Sequence, residues 1–323
     1  MDGPEVTLSN GLDAEWDKIV STYYKVCSQP DCAGLVSYYY PSINTNASTA
    51  DNCGHGTAVA SVVDGTVSGV AKGALVIGVN VLSDGCDFRT DFIIAGIDYV
   101  MTHKVSNTNI INMSIEVAVR DWWNPGFENA VAAAVNSGIV FVTAAGNEYP
   151  TGDGNACDYD PGRLPYVITV GASSPQDLVS SYSNYGPCIT LFAPGDGVTA
   201  ADNGRDSAFT QPQAPAGSNT VVNTIYGTSF AAPIVAGIAA LYLQNHPGAS
   251  PATVKQAITS TAWLGKLQDT RPGVVGSPNL LASPCVPGNA VCTGAGGSGG
   301  GGSNNPLPGE VLTAVESLLL LNH

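Results

Sequence analysis

From about residue 55 onward the chain alternates short apolar runs with stretches in which apolar residues recur at helical spacing, whereas residues 1–50 carry no comparable pattern. Ala74–Leu82 (ALVIGVNVL) is apolar almost throughout and has the length of a strand. Asn109–Ile115, Gly138–Ala144 and Tyr166–Ala172 repeat that signature, and Cys188–Phe192 does so more weakly. Between them, Asp91–Thr102 has helical periodicity, and Pro125–Asn136 predicts a helix capped by Asn124 with proline in its first turn. Thr228–Gln244 and Ser250–Thr261 predict two late helices. Strands alternating with helices build βαβ units, and strands apolar on both faces belong in a sheet covered on both sides. The pattern therefore predicts an α/β fold with a mostly parallel central sheet and helices on both faces.

Composition narrows the function classes. Eleven Lys and Arg against 26 Asp and Glu leave a net charge of −15, which repels nucleic acid and anionic lipid and argues against both as partners. No run reaches the roughly 18 apolar residues of a membrane helix. There is no EF-hand loop and no HExxH, and the four histidines are scattered, so no cofactor is expected to be required. The acidic surface is compatible with structural calcium, but no ligand spacing announces it. The eight cysteines form no CxxC pair, which argues against zinc, and an even count in a chain of low charge content predicts disulfides and a secreted protein. Cys285 and Cys292, in a Pro/Gly loop, are expected to pair locally. Asn46-Ala-Ser48 is a candidate glycosylation site; Asn112-Met-Ser114 has the same form but lies in an apolar run and is expected to be buried. The first residues, MDGPEVTLSN, have neither a basic start nor an apolar stretch, so a leader is expected to have been removed or the chain to be a shorter version of a longer one.

Three short segments carry chemistry. In Asn52-Cys-Gly-His55-Gly-Thr-Ala-Val-Ala60 a histidine stands between glycines at the start of a small-residue helix. In Gly227-Thr-Ser229-Phe-Ala-Ala-Pro233-Ile-Val-Ala-Gly237 a serine opens a long helix, whose first-turn N–H groups and dipole favour an oxyanion. Pro233 falls in the early turns, where a missing N–H is expected to cost least. In Ala144-Ala-Gly-Asn147 an asparagine follows a strand, placed to turn its amide into a crevice. Taken singly these residues read as an ordinary histidine, an N-cap and a turn.

In this order and these local sequences they resemble the subtilisin-like serine proteases, the proteinase K branch most closely. The resemblance runs from about Leu35 to about Ala282, with supporting matches at Ser37-Tyr-Tyr-Tyr40, Gly69-Val-Ala-Lys72, Val79-Asn-Val-Leu82, Val170-Gly-Ala172, Ser183-Asn-Tyr-Gly186 and Phe192-Ala-Pro-Gly195. It implies a monomeric serine endopeptidase acting on protein or peptide substrates, with His55 as general base, Ser229 as nucleophile and Asn147 as oxyanion donor. With the composition beyond it, the chain divides into a degenerate N-terminal segment (1–34), a peptidase domain (35–292), a Gly/Ser linker (293–305) and a short tail (306–323). In the tail Val311, Val315, Leu318 and Leu319 fall on one face of an amphipathic helix.

The resemblance has gaps. The family's triad also holds an aspartate, at the end of an apolar strand ahead of the histidine, and no such strand is recognisable. Asp13, Asp17 and Asp31 are weak candidates, and a deletion between about Tyr24 and Gly34 is the simplest account. Loss of that carboxylate costs roughly four orders of magnitude in kcat. The alternative reading is thus a catalytically impaired protein that keeps the fold and binds peptides. A second departure is Ser114-Ile-Glu116-Val117, where the family has Ser-x-Gly-Gly alongside the substrate backbone; Glu116 would favour basic residues there. Ala58 replaces a second histidine, and no folding prodomain is recognisable in residues 1–34.

Overall fold

The computed structural model describes residues 54–65, 68–82, 90–102, 109–119, 124–150, 154–201, 221–269, 271, 275–287 and 315–322. Its centre is an eight-stranded sheet. In chain order the strands are β1 (Ala74–Asn80), β2 (Asn109–Met113), β4 (Val140–Ala144), β6 (Ile168–Ser173), β7 (Leu191–Pro194), β10 (Trp263–Leu264), β11 (Leu280–Leu281) and β12 (Val315–Asn322). They lie in the order β1-β12-β2-β4-β6-β7-β11-β10, parallel except for β10 against β11. Two small antiparallel pairs flank it, β3 (Val117–Ala118) with β5 (Tyr159–Asp160) and β8 (Asp196–Ala201) with β9 (Val221–Tyr226).

Both faces of the sheet are covered, as the continuous apolar strands require. On one face α1 (His55–Asp64), α4 (Thr228–Asn245) and α5 (Pro251–Thr261) pack on Ile110, Val140, Val142, Val170 and Leu191. On the other, α2 (Thr90–Thr102) and α3 (Pro125–Asn136) pack on Ile111, Met113 and Phe141. Neighbouring residues such as Ile110 and Ile111 thus serve opposite cores, which is the two-residue period of a strand. The Asn124 side chain accepts from the N–H groups of Gly126 and Phe127, and the Ser250 hydroxyl accepts from Thr253, so both helices start where their caps predict.

The end of the chain departs from expectation. Residues 315–322, read at helical spacing, form strand β12, inserted between β1 and β2 and parallel to both. Four consecutive leucines suit either element, because a short apolar run does not distinguish helix from strand by period. A vacant place between two strands does, because its unpaired backbone groups demand a ladder.

Cys157 and Cys188 form a disulfide closing 31 residues. Cys285 is disulfide-bonded too, and Cys292, its expected partner, lies outside the described residues. Asn112 is fully buried, as its apolar surroundings predicted, and Asn46 is outside the described residues. Replacing Cys157 and Cys188 together with serine is expected to destabilise the fold by about 3–4 kcal/mol from loop entropy. Urea denaturation of the two chains side by side checks it.

Candidate functional site

Three parts of the chain meet the first turn of α4. Gly227 precedes that turn with φ of 148°, a conformation open to glycine and rarely to other residues, and so aims the chain into the helix. Its N–H is accepted at 2.9 Å by the hydroxyl of Tyr182, which itself donates to the Asp196 carboxylate. Burial first, then the hydrogen bond to Asp196 and its charge, push the Tyr182 phenol well above its usual range, which favours the protonated brace.

Thr228 is locked next. Its N–H (2.9 Å) and its hydroxyl (3.1 Å) both donate to Oδ1 of Asn147, while the same hydroxyl accepts the Gly146 N–H at 3.1 Å. A backbone N–H can only donate, so the Asn147 oxygen faces Thr228 and its amide N–H₂ group is turned the other way. Asn147 is itself exposed. Gly146 sits at φ of 102°, and a Cβ there would come within 2.3 Å of Asn184 Nδ2. Only glycine lets the loop pass.

Ser229 is held from the sheet. Ser114, just past the end of β2, donates its hydroxyl to the Ser229 carbonyl at 2.8 Å and in turn accepts from Asn112 Nδ2 at 3.0 Å. The reason lies four residues on. Pro233 is the sixth residue of α4, beyond the positions where a missing N–H is free of cost, and its absent N–H would have served the Ser229 carbonyl. The orphaned carbonyl takes Ser114 instead. Ser229 Oγ lies 3.5 Å from the Ser114 carbonyl oxygen, and the residue is 8% exposed. Its N–H is among the first-turn donors that an α-helix leaves unused, at the positive end of the helix dipole.

Phe230, the next residue, is buried, and its ring packs against the imidazole of His55 with centroids 5.3 Å apart. His55 is the first residue of α1, entered through Gly54 at φ of 83°. Thr228, Ser229 and Phe230 therefore receive Asn147, Ser114 and His55 respectively. Asn147 and His55 thus reach the residues on either side of Ser229. Asp13, Asp17 and Asp31 lie outside the described residues.

Two carboxylates stand close in sequence to the residues that hold this turn, Glu116 two past Ser114 and Glu148 one past Asn147. Glu148 follows Asn147, with its N–H on Asn184 Oδ1 (3.0 Å) and its carboxylate accepting from Asn184 Nδ2. Glu116 lies beside it and is only part-exposed. Burial, then the Glu148 charge and a hydrogen bond between the two side chains, push the Glu116 carboxyl up to about 8. Val117 pairs with Asp160 in the small β3/β5 ribbon. Ser114, Thr228, Asn184 and Glu148 gave no sequence signal as site residues, because their partners lie 36 to 115 positions away. Among the described residues no three His, Cys, Asp or Glu side chains gather as a metal site would require, and no helix is long and apolar enough to cross a membrane.

Comparison with known proteins places these features in context. The sequence model of the subtilase family matches residues 10–290. An alkaline serine exoprotease A of Vibrio alginolyticus is 35% identical over 279 residues, covering 85% of this chain and 48% of the relative. An extracellular serine proteinase of a Thermus species is 38% identical over 259 residues, covering 79% and 56%. A cuticle-degrading serine protease of Arthrobotrys oligospora is 36% identical over 234 residues, covering 72% and 51%. The chain thus spans about half the length of the curated relatives it matches. A crystal structure of a cold-adapted subtilisin-like serine proteinase superposes with a TM-score of 0.62 at 36% identity, covering 73% of this chain and 76% of that one.

Proposed function

This chain belongs to the subtilase family, and on that premise we propose that it is a secreted serine endopeptidase that hydrolyses peptide bonds of protein substrates at the first turn of α4. Ser229 is the nucleophile, His55 the general base and Asn147 a donor to the oxyanion. The observation that carries the reading is the convergence on three consecutive residues, Asn147 on Thr228, Ser114 on Ser229 and His55 on Phe230.

The steps follow from these parts. His55 accepts the Ser229 hydroxyl proton as the oxygen attacks the substrate carbonyl and gives it to the amine as the C–N bond breaks; water, passing a proton to His55 in the same way, then cleaves the acyl-serine ester and restores the hydroxyl. The developing oxyanion meets the Asn147 amide and the Ser229 N–H, donors already fixed by Thr228 and by the helix start, so little reorganisation opposes the reaction. Tyr182 touches no reacting atom and holds the turn that does, while Ser114 holds the Ser229 carbonyl with its hydroxyl and receives Ser229 Oγ on its own carbonyl. The alternative, a peptide-binding chain without turnover, finds no support among the relatives, which carry the names of proteases. Secretion accords with the Cys157–Cys188 disulfide and with the extracellular proteinase among the relatives.

A fluorophosphonate probe tests the proposal, since it modifies only a serine made nucleophilic by its surroundings. The folded chain should label at Ser229, and both Ser229→Ala and the heat-unfolded chain should not. His55→Ala should label at least about a hundredfold more slowly. A chain that melts cooperatively and does not label would overturn the proposal.

A further inference from the structure

We infer that the place between β1 and β2 is a strand-acceptor site, that its occupant is the chain's own C-terminal segment 315–322, and that filling it assembles the two halves of the site proposed above. The inference rests on that reading only for its last clause.

β1 and β2 follow one another in the chain through α2, yet they are not neighbours in the sheet, because β12 stands between them. Among the described residues β1 has no other strand partner. β12 registers with β1 from Ala74↔Val315 to Asn80↔Asn322, and with β2 from Ser317↔Asn109 to Leu321↔Met113. Removing it would leave both facing edges without a ladder and detach β1 from the sheet. Each unpaired backbone group in such an interior carries the cost of a lost hydrogen bond, which is the driving force for strand addition.

The occupant is joined to the rest of the chain through residues 293–305, which are rich in Gly and Ser, the composition of a linker. A strand joined to its neighbours by ladders on both edges can be taken up as an added segment, as an intramolecular ligand can.

The consequence for the site follows from what sits on the sheet. α1, which begins with His55, packs on β1 and β12. α4, which begins with Ser229 at its second residue, packs on β2, β4, β6 and β7 and also touches β12. β12 is thus the seam between the bed of the imidazole and the bed of the hydroxyl. It also braces β2 up to Met113, one residue before the Ser114 that holds the Ser229 carbonyl.

The test uses the whole chain with a site-specific protease recognition sequence replacing residues 296–302. After cleavage, the C-terminal fragment should co-elute with the body on size exclusion in native buffer and exchange slowly with excess fluorescent peptide of residues 306–323. A peptide carrying Leu319→Pro, which lacks an N–H in the middle of the strand, should not be taken up. In the uncut chain Leu319→Pro should abolish cooperative melting or Ser229 labelling, whereas Ser303→Pro in the linker should leave both unchanged. A fragment that leaves at cleavage while the body still melts cooperatively would overturn the inference. Uptake is read by fluorescence and mass, independently of activity. A chain that takes up the peptide and never labels therefore sinks the endopeptidase reading and leaves the acceptor site standing.

Discussion

Replacing Asn147 with leucine is expected to lower kcat by about two to three orders of magnitude with little change in KM. That range is the one known for an oxyanion-hole asparagine in a subtilisin and is carried over here. A structural role would also predict some loss, because the Asn147 oxygen accepts from both donors of Thr228. Asn147→Asp separates the two. Aspartate keeps an oxygen for Thr228 and loses the N–H₂ group, while placing a negative charge where an oxyanion would develop. If Asn147 serves the oxyanion, the aspartate variant should be at least as slow as the leucine variant and should melt within a degree or two of the parent. A slow, unstable leucine variant beside a nearly active aspartate variant would reduce Asn147 to a brace for the helix start. Steady-state kinetics and melting curves on the three chains decide it.

What the sequence made legible follows from how local each signal is. β2, β4, α3 and α5 were readable because a continuous apolar run or a capped, proline-started helix is a property of neighbouring residues. β3, β5, β10 and β11 were not, since strands of two residues leave no period to read. β8 and β9 escaped for another reason, being separated by residues 202–220, so no hairpin turn announced their pairing. The three motif residues His55, Asn147 and Ser229 were visible because glycines and small residues crowd around them. The residues that hold them in place were not, and Ser114 shows why. Nothing about a serine at the end of an apolar run says that it will serve a carbonyl 115 positions away. The missing N–H of Pro233 was on view throughout, yet its consequence appeared only once the register of α4 fixed Ser229 as the residue four earlier. β12 is the clearest limit. Its four leucines are compatible with two elements, and the choice between them was made by a gap in a sheet that the local sequence does not mention.

The second large effect concerns Glu116. Glu116→Gln is expected to stabilise the chain above pH 8 and to leave it nearly unchanged below pH 4.5. In the folded state the carboxyl is raised to about 8, by burial first and then by Glu148, whereas in the unfolded chain it titrates near the ordinary 4.5. Below 4.5 both states carry the proton and the group distinguishes nothing. Between 4.5 and about 8 the unfolded chain releases its proton while the folded chain retains it, so the parent loses stability as pH rises, and above that it loses no more. One proton allows at most about 1.4 kcal/mol per pH unit, and the loss accumulates only between those two values. Glutamine mimics the protonated form and has no such dependence. The difference in melting temperature between the two chains should therefore grow from near zero at pH 4.5 to several degrees at pH 9. A constant difference across that range would mean that the carboxyl is not raised. The same pair of chains tests substrate choice, since one or two negative charges beside the turn favour a cationic side chain. The parent should cleave peptides with Lys or Arg near the scissile bond better than their Leu counterparts, more so at pH 9 than at pH 6. Glu116→Gln should flatten that ratio and its pH dependence together, because both arise from the same proton.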